Sequence, residues 1–460
     1  MNYTSEQQAI ANYREDELLV RGVAGSGKTL SLLANAIKRA EESSSLLFIT
    51  FNKPLNQKIE SMWGNNSKYK IEIKNFHSWA YGEISKVYGR PNNPLWDNDK
   101  KNLIKAVIEN ISRRYDNRFI NYSDENLLFL GEEFDFIKGK NLRCLAEYSN
   151  VERTGRGNKV RLMPNSIDRE VIYKIYEEFE EEKIRNNKFE FIDFGFKLYP
   201  RIEQVSHYDY VYIDEAQDLN QVELQLLRKI AKKGFYVCAD DGQKIYRTNY
   251  TWTEVGANFK GGRAKRLRKS FRSTYEIFKF ASELQKNDSS LKGDNYVEPE
   301  FDRAIKGEKP TVIDCGNSIL RDAELVKRIQ EYLRGNSEAK IGILCRDRNL
   351  AKEINSVLGR TNINSILQTG SEKIDFNTDV MITTLHSSKG LEFDYVIIPE
   401  FNEDRRLTLD NKDEEYWNNQ RKLWYVAFSR ARNKLDVMYY QNKNVLLEEI
   451  DRRLYRKIEL

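Results

Sequence analysis

Near the start of the chain, Gly22, Gly27, Lys28 and Thr29 within LVRGVAGSGKT fit the pattern G-x-x-x-x-G-K-[ST], after an apolar run and before a helical pattern. That order is suited to holding phosphate. The backbone N–H groups of Gly22, Ala24, Gly25, Ser26 and Gly27 can wrap the anion, and the following helix N-terminus adds partial positive charge. Lys28 would reach the β and γ oxygens, and Thr29 would offer its hydroxyl to Mg²⁺. A second pair, Asp214 and Glu215, stands at the carboxyl end of the strand predicted in YVYIDEAQD. Carboxylates at the carboxyl end of a buried strand stand where an α/β sheet presents ligands. Asp214 would hold Mg²⁺ and Glu215 would orient the attacking water, so the expected chemistry is nucleotide hydrolysis rather than binding alone.

The elements that must position these residues are short β-branched and aromatic runs. They are LLFITF (46 to 51), YDYVYID (208 to 214), FYVCAD (235 to 240), IGILCR (341 to 346), VMITTLH (380 to 386), YVIIPE (395 to 400) and LDVMYY (435 to 440). Their continuous apolar character predicts buried parallel strands. Helical patterns such as TLSLLANAIKRAEE and NQVELQLLRKIAKKG alternate with them, which is the signature of α/β layers. Residues 93 to 190 differ: they are charged, Asn-rich and helically periodic, and read as a helical insertion. Its run EEFEEEK (177 to 183) reads as a solvated helix face, and the basic segment RTGRGNKVR (153 to 161) as a solvated turn or a phosphate contact.

The chain has 460 residues, enough for two or three domains, and 40% of them are hydrophobic. Its 75 basic and 70 acidic residues leave a formal charge of +5, which neither requires nor forbids a polyanionic partner. Cys144, Cys238, Cys315 and Cys345 are isolated from one another and from the histidines, so the expectation is buried free thiols without disulfide or zinc. No apolar run approaches the roughly 18 residues of a membrane span, and MNYTSEQQAIANYRED is too polar for a signal peptide. The expectation is a cytoplasmic protein with no membrane partner.

Taken in order, the motifs resemble those of UvrD/Rep-type superfamily 1 DNA helicases. Gln7 in YTSEQQAI, 21 residues before Lys28, resembles the glutamine that reads the adenine edge, and GVAGSGKT resembles motif I. ITFNK (49 to 53), with Phe51 and Asn52, resembles motif Ia, and NFHS (75 to 78), with His77, the segment after it. DEAQD (214 to 218) is similar to motif II and ADDGQKIY (239 to 246) to motif III. There the resemblance makes Gln243 the link between γ-phosphate and DNA and stacks Tyr246 on a base. SFRS (270 to 273) is similar to motif IV, which implies Phe271 on adenine and Arg272 on phosphate. TLHSSKGLEF (384 to 393) resembles motif V, with His386 toward DNA and Glu392 on the ribose. QRKLWYVAFSRAR (420 to 432) resembles motif VI, whose arginine would be Arg430. One departure is plain: where the family follows motif III with Trp and Arg, this chain has Thr248 and Asn249, leaving Tyr250 or Trp252 as substitutes. Pro54, where an alanine is common, would set the start of the next helix.

The resemblance implies an α/β fold of two RecA-like domains with parallel sheets and a helical insertion, 1B, in the first. The expected division is 1 to 92 and 191 to 262 for domain 1A, 93 to 190 for 1B, and 263 to 460 for 2A. Between Arg272 and His386 lie 113 residues, which 2A itself nearly fills, so domain 2B is expected to be absent or vestigial. With 28 residues after Arg432, the expectation is that no nuclease is fused there. The implied function is an ATP- and Mg²⁺-dependent helicase or translocase moving 3′-to-5′ on single-stranded DNA or at a single-strand/duplex junction. Two other readings stand beside it: a helicase-like ATPase subunit regulating a partner nuclease, as in phage defence, and a P-loop kinase or GTPase acting on small molecules. The last leaves motifs Ia, III and V without a purpose.

Overall fold

A computed structural model describes residues 3–42, 45–50, 71–152, 160, 162–240, 242, 250–291, 296–301, 305–368, 378–403 and 414–460. Its strands are β1 (Glu17–Gly22), β2 (Leu46–Ile49), β3 (Ile71–Lys74), β4 (Tyr208–Ile213), β5 (Ala231–Ala239), β6 (Ala264–Leu267), β7 (Thr311–Asp314), β8 (Ile341–Cys345), β9 (Ser365–Gln368), β10 (Val380–Thr384), β11 (Phe393–Ile398), β12 (Ala431–Tyr439) and β13 (Arg456–Glu459). They form two sheets in the orders β3-β2-β4-β5-β1-β6 and β13-β7-β12-β11-β8-β10-β9, and the pairings are parallel. These are the two RecA-like α/β units.

Each run that reads as a buried strand in the sequence contributes a strand to one of these sheets, and most side chains of those strands are buried. Five further strands carry weaker signals. All five are only four residues long, and IEIK, AKRL, RKIE and SILQ lie at sheet edges, where in the first three charged side chains discourage pairing with a second molecule. β6 pairs with β1 from Leu19↔Ala264 to Gly22↔Leu267, so the first sheet extends past the boundary expected at residue 262. Between Arg272 and His386, the described elements are strands of the second sheet and the helices Tyr275–Lys286, Ser318–Gly335 and Arg348–Leu358.

Helices Asp97–Ile111, Asp124–Gly139, Leu145–Asn150 and Ile167–Arg185 form a separate layer around Ile104, Ile108, Phe134, Ile172 and Phe179. The chain enters and leaves this layer side by side, joined by Leu95 N to Phe189 O at 2.7 Å and Phe189 N to Asn93 O at 3.1 Å. Beneath it lies a buried ionic cluster. Lys138 Nζ meets Glu180 and Glu190 at 2.6 Å and Asp193 at 2.8 Å, while Lys183 Nζ meets the same three carboxylates at 2.7 to 3.0 Å. Lys100 completes it, at 2.8 Å from Glu190 and 2.7 Å from Asp135. The EEFEEEK run is therefore only partly solvated. Glu177 and Glu181 face water, but Glu180 and the wholly buried Lys183 turn inward, because the helix face they share meets Lys138 and Asp193. The thiols also divide, Cys238, Cys315 and Cys345 being buried and Cys144, which caps the surface helix Leu145–Asn150, exposed. Among the described residues no helix is long and apolar enough to cross a membrane.

Removing one partner from a buried cluster leaves uncompensated charge, at a cost of about 3–5 kcal/mol. Lys138→Met is therefore expected to lower unfolding stability in urea by that amount. Arg185→Ala, which breaks exposed pairs with Glu181 and Glu182, should change it by less than about 1 kcal/mol.

Candidate active site

β1 runs between β5 and β6 and stops at Gly22, and helix Lys28–Ala40 begins six residues later. Gly27 caps this helix in the left-handed region, at φ 82°, with no side-chain hydrogen bond, so the first amides of the helix point into the turn. Gly25 is also left-handed, at φ 73°, and a Cβ there would lie 2.4 Å from Arg272 Cβ. Only glycine fits. Lys28 Nζ bends back onto the loop, donating to Gly22 O at 2.6 Å, Val23 O at 3.1 Å and Asp240 Oδ2 at 3.0 Å. Gln7 approaches from the helix Ser5–Ala11, with Nε2 donating to Ser26 O at 3.0 Å and Oε1 accepting from Thr4 N at 3.0 Å. Ser26 Oγ is buried without a hydrogen-bond partner among the described residues. Inward amides, a lysine held on the loop and a buried hydroxyl without a partner form a cradle that fits phosphate.

β4 delivers Asp214 and Glu215 opposite this loop. Asp214 accepts from Thr29 Oγ1 on both oxygens, at 2.8 and 3.0 Å. Burial, with Glu215 adjacent, pushes its carboxyl up to about 7. Thr29 and Asp214 offer oxygen ligands only, the donor set a hard divalent ion takes, and such an ion would hold the carboxylate ionised. Glu215 occupies the left-handed region at φ 53°, an uncommon conformation for a residue with a side chain, and such strain concentrates at functional sites. Burial raises its pKa, but Lys389, Lys28 and Arg430 outweigh this and keep it below the usual range. Gln217 donates to Glu215 and accepts from Asp240 N at 3.0 Å, so the acidic pair is tied to the end of β5.

The second sheet closes the site. Phe271 N donates to Gly25 O at 2.9 Å and Ala24 N to Tyr425 OH at 3.4 Å. The Phe271 ring is 47% exposed beside the loop. Arg272 pairs with Glu392 at 2.6 Å, and Glu392 also receives Arg432 at 2.5 Å. Burial raises the Glu392 pKa, and the two guanidinium groups more than reverse it. Arg430 is buried, donating from Nε to Val426 O at 2.9 Å. Burial and the nearby Arg272 bring its pKa down to about 10, against the opposing pull of Glu215 and Glu392.

Gln7, the loop from Gly22 to Thr29, Asp214, Glu215, Phe271, Arg272, Glu392 and Arg430 thus surround one cleft. His77 lies apart, near the start of the helix Phe76–Tyr88 that Asn75 caps, with its ring edge-on to Phe191 at 5.5 Å; burial lowers its pKa. His386 is exposed on the turn after β10. Phe51, Asn52, Pro54, Gln243, Tyr246, Thr248 and Asn249 lie outside the described residues. Tyr250 and Trp252, both half-buried, pack against the first core, with Tyr250 OH donating to Ala216 O at 2.9 Å. Sequence reading missed Gln217, Asp218, Asp240, Lys389, Tyr425 and Arg432. Each stands within or beside a motif, but its partner is supplied by the fold. It also missed Trp96, 62% exposed, which with Phe191 extends an aromatic ledge beside His77.

Residues 3–253 match the family described as UvrD/REP helicase N-terminal domain, and residues 361–442 match the UvrD-like helicase C-terminal domain. The chain is similar to a probable DNA helicase II homolog of Rickettsia conorii, at 25% identity over 372 residues, covering 74% of this chain and 53% of that protein. It is similar to the ATP-dependent DNA helicase PcrA of Bacillus subtilis, at 25% over 350 residues, covering 66% and 43%. With PcrA of Staphylococcus epidermidis the identity is 23% over 393 residues, covering 79% and 50%. The chain spans about half the length of these relatives. With the N-terminal family match extending over more than half of its residues, and the glycine loop, acidic strand end and basic second sheet meeting at one cleft, the chain belongs to the UvrD/REP helicase family.

Proposed function

We propose that this chain is a DNA-dependent ATPase that uses ATP hydrolysis in the cleft to move 3′-to-5′ along single-stranded DNA, unwinding duplex at a junction. The observation that carries this reading is the two-sided phosphate cradle. Its loop amides, Lys28, Thr29, Asp214 and Glu215 belong to the first sheet, while Arg272 and Arg430 reach it from the second. The relatives, a probable DNA helicase II homolog and the ATP-dependent DNA helicase PcrA, support DNA and ATP as substrates. Polarity rests on the resemblance of QKIY and LHSSKGLEF to the 3′-to-5′ branch.

In this reading Gln7 and Phe271 hold the base, Glu392 the ribose, and the loop with Lys28 the phosphates. Thr29 and Asp214 would hold Mg²⁺, which supplies positive charge to the phosphate oxygens. Glu215, kept ionised by the surrounding cations, orients water for attack. Arg272 and Arg430 stabilise the charge that develops on the phosphate oxygens. A nucleotide that both sheets contact favours their approach, and its hydrolysis and release let them separate. His77 on the first unit and His386 on the second then grip the strand in alternation, with stacked aromatics contributing about 1–3 kcal/mol per base.

Steady-state ATP hydrolysis with and without single-stranded DNA tests this first, with duplexes tailed at 3′ or 5′ ends giving polarity. DNA should stimulate turnover, and Glu215→Gln should abolish the stimulated rate while the chain stays folded. DNA-indifferent hydrolysis would refute the motor reading. Arg430→Ala should lose about 10³ in kcat, within the range for an arginine finger, and keep nucleotide binding by fluorescence titration; equal loss of both would make it a ground-state contact. Gly25→Ala drives a methyl group onto Arg272 and forces a strained φ, so nucleotide affinity should drop at least about tenfold. Affinity like that of the parent would mean the loop tolerates displacement of Arg272.

A further inference from the structure

Lys389 reaches across from the second sheet to the first. It sits on the turn after β10, where Ser388 N donates to Thr384 O at 2.9 Å, Ser388 Oγ to Leu385 O at 2.7 Å and Lys389 N to His386 O at 3.3 Å. That turn is fixed by its own bonds, and it carries the exposed His386. Lys389 Nζ donates to Asp218 Oδ1 at 2.6 Å, with the two side chains only 12% and 6% exposed. Asp218 ends the short helical turn Ala216–Asp218, which follows Glu215 without an intervening residue. This turn is held just as firmly: Tyr250 OH donates to Ala216 O at 2.9 Å, and Gln217 spans Glu215 and Asp240 N. Two turns held by their own hydrogen bonds, one bearing the solvent-exposed His386 and one directly following Glu215, are therefore joined by a short, buried ion pair.

A pair of this kind transmits position. While the sheets are together, removing either partner leaves the other charge buried and uncompensated, a state of high cost. Burial pushes the Asp218 carboxyl up to about 6 even with Lys389 beside it. We propose that Lys389 is a positioning residue whose ion pair with Asp218 is the strut by which the His386 turn sets the placement of Glu215, so that single-stranded DNA bound at that turn is felt at the site of hydrolysis. This rests on the reading of the chain as a DNA-stimulated ATPase.

The test uses Asp218→Asn, Lys389→Met and the double variant in the full chain. The first readout needs no activity: each single change should lower the urea unfolding midpoint, and the double should lower it no further than the larger single, because each single already destroys the pair. Additive midpoint shifts would overturn the strut. The second readout is turnover. Lys389→Met should reduce the DNA-stimulated kcat at least tenfold with the KM for ATP within threefold, and Lys389→Arg should restore most of it, a pattern that general destabilisation does not produce. A stimulated kcat within twofold of the parent, or a loss that arginine fails to restore, would overturn the positioning role. If the parent itself is not stimulated by DNA, the motor reading falls, while the midpoints still decide whether the strut exists.

Discussion

The missing side chain of Gly25 is the constraint on which the cleft depends. Its peptide must bend into the left-handed region to turn amides toward a phosphate, and its Cα must lie so close to Arg272 that no methyl group fits between them. Its carbonyl also accepts the amide of Phe271. The residue that shapes the phosphate loop is thus the residue on which the second unit rests. β6 makes this possible. As an edge strand of the first sheet it pairs with β1, and within three residues of its end the same backbone has become the SFRS segment that contacts the loop. A change in the loop is therefore a change in the joint between the sheets.

Charge in the cleft is arranged in pairs. Lys28 faces Asp240, Lys389 faces Asp218, and Arg272 shares Glu392 with Arg432. An ammonium or guanidinium withdrawn from water without a partner costs several kcal/mol, so these carboxylates keep the cations in place when no phosphate is there to face them. The same pairing sets a limit on affinity, because a bound phosphate must share or replace each carboxylate, and the exchange offsets part of what the new contact contributes. The cleft is prepared for anions but does not hold them for nothing in return.

How much of this was legible in the sequence follows from how local each feature is. The glycine loop and the DEAQD strand end are contiguous, and strands such as IGILCR and YDYVYID are apolar throughout because helices cover both faces. Those could be read directly. AKRL and RKIE could not, since an edge strand keeps charge on its flanks and resembles a loop. The ion pairs were also beyond reach: Lys28 and Asp240 are 212 residues apart, and Asp218 and Lys389 are 171 apart, so only the crossing of the chain between strands brings them together. Composition misled at EEFEEEK, where a run of like charge suggested water and the helix instead turns Glu180 toward two buried lysines.

That buried cluster bears on which parts of the molecule can move. Glu190 and Asp193 lead into the helix Asp193–Leu198, which packs on Phe76–Tyr88 and Gln221–Ile230 of the first unit, while Lys138 and Lys183 come from the helical layer. Sliding the layer over the first sheet would pull apart several buried ion pairs at once. Among the described residues, the junction between the sheets at the glycine loop includes two backbone amides, the apolar contacts of Val23 and Ala24, and the Lys389 strut. The buried cluster therefore makes the helical insertion travel with the first sheet and leaves the joint between the sheets as the place where the two units can move relative to each other.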